Sequence, residues 1–276
     1  MPRLFRVDPG SSVKLPDYDT RHDDDLSKDQ GQEQFDALAK ELGELQELLY
    51  AAGSHSVLIL LQGMDTSGKD GTIRNVLRDV NPAGCQVTSF KVPTAEELAH
   101  DFLWRVHRHT PGKGQLGVFN RSHYEDVLVV RVHKLATDQT IEQRFDQINA
   151  FERLLTENNT IVLKFFLHIS KKEQEERLLA REQDVTKAWK LSPGDWRERA
   201  LWDDYQRAYE DALVRCSTAQ APWHIVPADR KWFRNLAITE AVVKALRENK
   251  PQWDAELDKR AKTAHAELKA MRAAQQ

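Results

Sequence analysis

The stretch L-I-L-L-Q-G-M-D-T-S-G-K-D, residues 58–70, joins an apolar run to a glycine-rich turn. The run ends at Gly63, and after four further residues come Gly68 and Lys69. This is the spacing of a P-loop, in which backbone N–H groups and a lysine ammonium bind phosphate oxygens at the N-terminus of a helix. Glycine is needed there because the chain must turn tightly around an anion. The stretch therefore predicts a buried parallel strand followed by a phosphate-binding loop.

The residues after the loop support this prediction. Apolar side chains recur at helical spacing, at Ile73, Val76, Leu77 and Val80, so a helix follows the strand and the loop. An ordinary glycine turn is the alternative, and it does not require that helix. Asp70 stands where a Ser or Thr hydroxyl normally binds magnesium, so a metal would be held differently here. Besides Lys69, the residues expected to contact phosphate are Gly63, Met64, Thr66, Ser67, Gly68 and Asp70.

Composition and charge exclude several classes of protein. The chain has 276 residues, enough for one large domain, and its formal net charge of −3 argues against broad, salt-dependent nucleic-acid binding. Two cysteines, Cys85 and Cys216, are too few for a disulfide framework or a zinc site and fit a reducing compartment. No apolar run approaches the roughly 20 residues that cross a bilayer, and the N-terminus has no signal-peptide core. We expect a cytoplasmic protein that binds neither membrane nor nucleic acid.

Short apolar segments alternate with helical patterns along the chain. The five predicted strands are residues 58–62, 86–90, 116–119, 160–169 and 221–227. This alternation is typical of a doubly wound α/β fold. We predict a P-loop kinase-like, three-layer α/β/α arrangement with a five-stranded parallel sheet and a helical lid.

Capping patterns predict where several helices begin. In three places a Ser or Thr is followed three residues later by Glu or Gln, at Thr94, Thr140 and Ser170. Apolar spacing predicts that the first of these helices continues through Val106. Asp229 is expected to cap the last helix of the core.

Composition also divides the chain into three parts. Residues 1–30 are polar and rich in Pro and Asp, which predicts a weakly ordered N-terminal arm. We expect residues 31–250 to form one domain built around the P-loop, with the lid at about 171–199. Residues 251–276 are mostly charged and helix-forming, as in a partner helix or a frayed tail.

A polar segment, N-R-S-H-Y-E-D, follows the third predicted strand at residues 120–126. In an open parallel sheet the carboxyl ends of the strands line the binding site. We therefore expect Asn120, Arg121, Glu125 and Asp126 to lie near the P-loop.

The proposed lid carries several basic residues. Arg177 and Arg181 are four residues apart and so share one helical face. Lys187 and Lys190 follow in a segment whose Pro and Gly suit a mobile flap over an anion. A solvated, charged helix is the alternative interpretation.

Four motifs together resemble the polyphosphate kinase type 2 family. They are G-M-D-T-S-G-K-D (63–70), F-N-R-S-H-Y-E-D-V (119–127), R-E-Q-D-V-T-K-A-W-K-L-S-P (181–193) and A-P-W-H-I-V (221–226). The resemblance covers roughly residues 30–250. It implies phosphate transfer between inorganic polyphosphate and nucleotides, adenine or also guanine, with Mg²⁺ or Mn²⁺, in a homo-oligomer that is a dimer or tetramer.

The resemblance also implies roles for individual residues. Lys69 contacts the transferring phosphate, Asp65 binds metal or accepts a proton, and Arg121 supplies positive charge at the transfer point. Glu125 completes the catalytic set, and Asp126 is a second metal ligand. The basic residues implied to bind phosphate are Arg131, Arg177, Arg181, Lys187 and Lys190, and those implied to bind the nucleotide are Asn120, Arg121 and Tyr124.

Two positions in the second motif bear on specificity. Many family members have aspartate before the arginine and asparagine after the tyrosine, where this sequence has Asn120 and Glu125. That combination resembles the class that phosphorylates both AMP and ADP. Two other functions stay open: an ATP-dependent nucleoside monophosphate kinase, and a non-catalytic regulator that binds polyphosphate or nucleotide.

Overall fold

The computed structural model describes residues 3–183 and 193–275, which form one sheet with helices packed against it. The strands are β1 (Phe5–Val7), β2 (Ser56–Gln62), β3 (Cys85–Ser89), β4 (Leu116–Asn120), β5 (Thr160–His168) and β6 (Trp223–Pro227). The helices are α1 (Lys28–Ala52), α2 (Lys69–Val76), α3 (Ala95–Leu98), α4 (Trp104–His107), α5 (Val129–Val132), α6 (Asp138–Glu157), α7 (Lys171–Gln183), α8 (Pro193–Ala200), α9 (Trp202–Arg215) and α10 (Lys231–Ala274).

The strand that leads into the P-loop lies in the middle of the sheet. The strand order is β1-β6-β5-β2-β4-β3, and β2 pairs in parallel with both β4 and β5. Every residue of β2 is buried. Because successive side chains point to opposite faces, both faces of this strand are covered, as in a three-layer α/β/α fold. The predicted fold class and all five predicted parallel strands are confirmed.

The N-terminal residues are more ordered than predicted. Phe5–Val7 forms a sixth strand, antiparallel to β6 at the edge of the sheet, so the sheet has six strands and not five. Farther along, Leu15 is fully buried, and its carbonyl contacts His168 Nε2 at 3.1 Å. The prediction of a weakly ordered arm is therefore wrong for these residues. A strand of three residues is too short to show a period-two pattern in the sequence.

The helix predicted from Thr94 through Val106 is interrupted. The capping box at Thr94 is present, but α3 ends at Leu98, whose side chain is 70% exposed. The Asp101 carboxylate then accepts the N–H groups of Leu103 and Trp104, at 3.0 and 3.1 Å. This local hydrogen bonding competes with a continuous helix and starts α4 instead.

Two other predicted caps differ from the structure, and one is confirmed. Helix α6 begins earlier than predicted, because the Thr137 hydroxyl accepts the N–H of Thr140. Asp229 does not cap α10; its carboxylate accepts hydrogen bonds from Thr20 and Ser170. The Ser170 hydroxyl accepts the N–H of Glu173, as its capping pattern predicts.

The last helix is much longer than the core requires. Helix α10 packs against α1 and the sheet and continues to Ala274, so residues 251–274 are helical, as the sequence predicts. Every residue from Asp258 to Gln275 is exposed. Among the described helices, none is both long enough and apolar enough to cross a membrane.

Candidate active site

The P-loop joins β2 to α2 through unusual backbone conformations. Gly63 has φ +151°, and a Cβ there would lie 2.8 Å from the carbonyl oxygen of Leu167. Gly68, the N-cap of α2, has φ +101°. Thr66 between them also adopts a left-handed φ of +63°. The two glycines thus allow the loop to wrap around a concave space at the N-terminus of α2.

Lys69 is held inside this loop. Its side chain is buried, and its Nζ donates to the carbonyl oxygens of Gly63 at 2.7 Å and Met64 at 3.3 Å. Burial and, to a smaller extent, the positive charge of Arg121 lower the pKa of Lys69 to about 8, while the nearby acidic groups act in the opposite direction. The ammonium is therefore in an environment that favours contact with an anion.

This pKa predicts a pH dependence of phosphate binding. In the free enzyme Lys69 is mostly protonated below about pH 8 and loses its charge above it. Because kcat/KM reports ionisations of the free enzyme, we expect kcat/KM for a phosphate donor to fall above about pH 8. A Lys69→Arg variant that keeps activity should lack this fall, since arginine stays protonated. Steady-state rates across neutral and alkaline pH test this, and a wild-type profile that is flat through pH 8 would contradict it.

Arg121 lies between two carboxylates at the end of β4. Its Nη2 is 2.7 Å from Asp65 Oδ1, and its Nη1 is 3.5 Å from Glu125 Oε2. Its backbone has a left-handed φ of +64°, which turns the chain sharply after the strand. Burial opposes the charge of Arg121, but Glu125 and Asp65 together raise its pKa above the ordinary value. The guanidinium is thus a fixed positive charge joined to the P-loop.

A second polar contact joins the same two segments. Asn120, the last residue of β4, donates its amide to Asp70 Oδ1 at 2.7 Å. Asp70 is in the first turn of α2. The end of β4 is therefore tied to the P-loop at two points, through Asp65 and through Asp70.

These residues surround a cavity of about 640 Å³. Its lining combines P-loop, β3, β4 and lid residues, including Asp65, Lys69, Asp70, Lys91, Asn120, Arg121, Arg181 and Asp195. A smaller cavity of about 30 Å³ shares Asp65 and Arg121 but is otherwise lined by other residues, among them Glu125, Tyr205 and Tyr209. The Asp65–Arg121 pair thus borders both cavities.

The lid helices contribute one arginine to the large cavity. Arg181 on α7 lines it and pairs with Asp195 on α8 at 3.0 Å. Burial raises the pKa of Asp195, and the negative charge of Asp65 raises it further. Lys187 and Lys190, also predicted to bind phosphate, lie outside the described residues.

Arg177 does not occupy the predicted position. Its guanidinium donates to the carbonyl oxygens of Thr66 at 2.9 Å and Ser67 at 3.1 Å, and it also pairs with Glu173. It contacts the P-loop through the loop's backbone carbonyls and does not line the large cavity. Arg177 and Arg181 share a helical face, but only Arg181 lines the large cavity. Arg177 contacts the P-loop carbonyls, whereas Arg181 lies beside Asp195.

Tyr124 is also not available to a nucleotide. It is fully buried, and its hydroxyl donates to Glu152 at 2.8 Å and accepts from Lys164 at 3.0 Å. Lys164 and Glu152 are themselves buried and paired, and His123 contacts Glu152 at 3.2 Å. This network anchors the segment that presents Arg121. The Tyr124 hydroxyl therefore makes hydrogen bonds inside the protein in place of the predicted contact with a nucleotide.

Other predicted side chains also lie away from the large cavity. Arg131 pairs with Asp211 on α9. Asp126 is mostly buried beside Arg144, at 3.2 Å, and burial raises its pKa to about 6. Neither lines the large cavity. The side chains of Met64 and Ser67 are buried, and neither residue lines the large cavity.

Arg234, which no sequence pattern singles out, contacts the P-loop from α10. Its Nη1 donates to the carbonyl oxygen of Ser67 at 3.2 Å, and the residue is 2% exposed. In the sequence it stands in K-W-F-R-N-L, a pattern in which an arginine usually belongs to a solvated face. Its burial depends on packing between α10 and the P-loop, which residue spacing does not reveal.

Comparison with known proteins decides the family. Residues 25–254 match the sequence profile of the family described as polyphosphate kinase 2. The chain belongs to the polyphosphate kinase 2 family. It is 50% identical over 249 residues to an AMP/ADP-polyphosphate phosphotransferase of Meiothermus ruber, across 88% of this chain and 92% of that one.

Two further relatives agree with this assignment. An ADP-polyphosphate phosphotransferase of Rhodopseudomonas palustris is 43% identical over 257 residues, across 88% of this chain and 89% of that one. The crystal structure of polyphosphate kinase 2 from Arthrobacter aurescens TC1 superposes with a TM-score of 0.85 at 42% identity, covering 90% of this chain and 92% of that one. The family match over residues 25–254 spans the P-loop, the β4 segment and the lid helices.

Proposed function

We propose that this protein is a polyphosphate-dependent nucleotide kinase, which transfers the terminal phosphate of inorganic polyphosphate to AMP and ADP. One observation carries the proposal: Lys69 in the P-loop and Arg121, bridged to the loop by Asp65 at 2.7 Å, line one cavity. Such an arrangement places fixed positive charge where a phosphoryl group would move between donor and acceptor. The printed names of the relatives supply the substrate class.

The reaction needs little covalent chemistry from the protein. A phosphate oxygen of the nucleotide forms a bond to the terminal phosphorus of polyphosphate as the P–O bond to the rest of the donor chain breaks. The shortened polyphosphate leaves with the electron pair of that bond. Lys69 and Arg121 then act by binding and orienting phosphate oxygens and by offsetting their charge.

Magnesium fits the residues of this site. Asp65 and Asp70 present hard carboxylate oxygens to the large cavity. In the described parts of the chain, no group of three or more His, Cys, Asp or Glu side chains is arranged to hold a metal. The two carboxylates of Asp65 and Asp70 suit Mg²⁺ or Mn²⁺ that is coordinated by one or two carboxylates together with substrate phosphates. Bound in that way, the ion would neutralise phosphate charge.

A direct assay separates this function from its alternatives. Protein, Mg²⁺, ADP and polyphosphate are mixed without ATP, and ATP is followed by luminescence. We expect ATP to form in proportion to protein. A nucleoside monophosphate kinase would instead form ATP from two ADP equally well when polyphosphate is omitted, and a regulator would bind polyphosphate without turnover; either result would overturn the proposal.

We further propose that AMP is an acceptor as well as ADP, on the basis of Asn120 and Glu125. Asn120 donates to Asp70 at 2.7 Å, so an aspartate at this position would place two carboxylates in contact. Glu125 is long enough to approach Arg121 at 3.5 Å, which holds the guanidinium between two acids. The two relatives described above are named for AMP/ADP and for ADP respectively, so the family contains both specificities.

Variants at these two positions test the AMP proposal. With AMP, polyphosphate and Mg²⁺ but no ATP, wild type should form ADP first and ATP later. We expect Glu125→Asn and Asn120→Asp to lower kcat/KM for AMP more than for ADP, by roughly tenfold, about the effect of one charged contact. Leu135→Ala, on the exposed surface, serves as a control. Wild type that never uses AMP, or variants that lose both activities equally, would contradict this proposal.

We also propose that the chain self-associates through the end of α10. Leu257, Ala261, Ala264, Leu268 and Met271 recur four and three residues apart, which is coiled-coil spacing. Arg260 donates to the carbonyl oxygens of Ala51 and Ala52, but Ala261, Ala264, Leu268 and Met271 are exposed. This apolar stripe is therefore available to a second helix. Light scattering should give a dimer or tetramer, and Leu268→Glu with Met271→Glu should reduce the mass. An unchanged mass would contradict this interface.

A further inference from the structure

Arg234 is a buried cation without a carboxylate partner in the described part of the chain. It lies in the first turn of α10 and is 2% exposed. Its Nη1 donates to the carbonyl oxygen of Ser67, while Nε and Nη2 donate to Asn235 Oδ1 at 3.2 and 2.9 Å. All of these acceptors are neutral. Buried charges are normally paired, so this arrangement is costly unless another charge offsets it.

The guanidinium lies directly against the P-loop glycines. A Cβ on Gly68 would be 2.0 Å from Arg234 Nη1, and a Cβ on Gly71 would be 3.6 Å from Nη2. Gly68 is the N-cap of α2, where a P-loop binds phosphate through its backbone N–H groups. The charge therefore lies against glycines that line the large cavity, while Arg234 itself does not line it.

Arg177, which also contacts the P-loop, differs from Arg234 in having a carboxylate partner. Both arginines donate to the carbonyl of Ser67, but Arg177 also pairs with the carboxylate of Glu173 at 2.8 Å. Burial and, to a smaller extent, the like charge of Arg177 lower the pKa of Arg234 to about 9. Within the described residues the positive charge of Arg234 is thus left without an internal counterpart.

We propose that Arg234 is a positioning residue whose charge is offset by the phosphate bound on the other side of the P-loop. It does not touch the ligand. It holds the Ser67 carbonyl, so that the loop's N–H groups point toward the cavity, and it adds positive potential at the N-terminus of α2. The ligand class is a phosphate chain, and in naming polyphosphate this inference rests on the function proposed above.

The test compares two quantities for the same variant: the melting temperature of the ligand-free protein and the Kd for a phosphate chain. In Arg234→Met, removal of a buried charge without a partner should leave the melting temperature of the ligand-free protein unchanged or higher. The Kd for inorganic tripolyphosphate, measured by calorimetry, should rise roughly tenfold or more, because one charge near the phosphates is lost. A purely structural arginine would lower the melting temperature when it is removed.

Two further variants separate charge from hydrogen bonding. Arg234→Gln keeps an N–H donor for Ser67 but removes the charge, so its Kd should rise as in Arg234→Met. Arg234→Lys keeps the charge and should retain most of the affinity. If Arg234→Met does not fold, the Gln and Lys variants alone decide. Arg247→Met is the control, because Arg247 is on the same helix but pairs with Glu41 at the surface; its Kd should equal that of wild type.

The outcomes distinguish this inference from the proposed function. If wild type binds tripolyphosphate and no Arg234 variant changes the Kd by more than about twofold, which is less than 0.5 kcal/mol, the inference is overturned and the proposed function stands. If the Lys variant loses as much affinity as the Met and Gln variants, charge is not the reason, and the inference is again overturned. If wild type does not bind tripolyphosphate, the inference and polyphosphate as the donor both fail.

Discussion

Replacing Lys69 with methionine is expected to lower kcat/KM for polyphosphate by roughly 10³-fold or more, the range found when a preorganised phosphate contact is removed. The ammonium lies within the loop, and nothing else among the cavity-lining residues occupies that position. Methionine keeps the length of the side chain and its apolar packing. The loss should therefore come from the missing charge and its hydrogen bonds.

The fold should survive this substitution. The carbonyls of Gly63 and Met64 each lose one hydrogen bond, which costs about 1–3 kcal/mol when the group is buried. Removal of a buried cation offsets part of that cost. Circular dichroism and thermal melting check the fold, and Lys40→Met, on the exposed face of α1, is the matched control. A folded Lys69→Met enzyme with wild-type kinetics would show that the P-loop assignment is incorrect.

The second large effect is expected at Arg121. Arg121→Ala removes the charge between Asp65 and Glu125, and we expect kcat to fall by ~10³-fold or more, as for an arginine that acts on the transferring phosphoryl group. Binding of tripolyphosphate should weaken much less, because the P-loop and Lys69 remain. Single-turnover rates and calorimetry on the same protein separate the two quantities.

Arg121→Lys gives the internal comparison. Lysine keeps the positive charge but cannot reach two carboxylates with a planar fork, so we expect an intermediate rate. Equal losses in rate and in tripolyphosphate affinity for Arg121→Ala would assign this residue to binding and would contradict a role at the transfer point.

The sequence predicted the sheet well because its strands carry local signals. The strand β2 is apolar from Val57 to Leu61, and the loop glycines that follow it are required by backbone conformation. The polar segment at 120–126 follows a strand, and the rule that strand ends meet at one edge placed Arg121 beside Asp65 correctly. Each of these segments carries its own local pattern, and the sheet rule brings them together although Asp65 and Arg121 are 56 residues apart.

The errors concern side chains whose environment is set by distant segments. Tyr124 belongs to the same motif as Arg121, yet it is buried by contacts with Glu152 on α6 and Lys164 on β5. Arg177 faces backbone carbonyls that only the folded loop brings near it. Helical spacing and motif membership state which residues are neighbours in the chain, but they do not state what packs against them.

The same limit explains why β1 and Arg234 were not predicted. The three residues of β1 pair with a strand more than two hundred positions away, and their pattern is too short to detect. Arg234 becomes a P-loop residue only because α10 crosses behind Gly68. Both features arise from tertiary packing between segments far apart in the sequence.

One labelling measurement tests the central claim most directly. Polyphosphate carrying ³²P is incubated with protein, Mg²⁺ and unlabelled ADP, and the nucleotides are separated and degraded to locate the label. Phosphoryl transfer at this site predicts label in the γ-phosphate of ATP for wild type and almost none for Lys69→Met. Release of the label as inorganic phosphate, with none in ATP, would contradict the account.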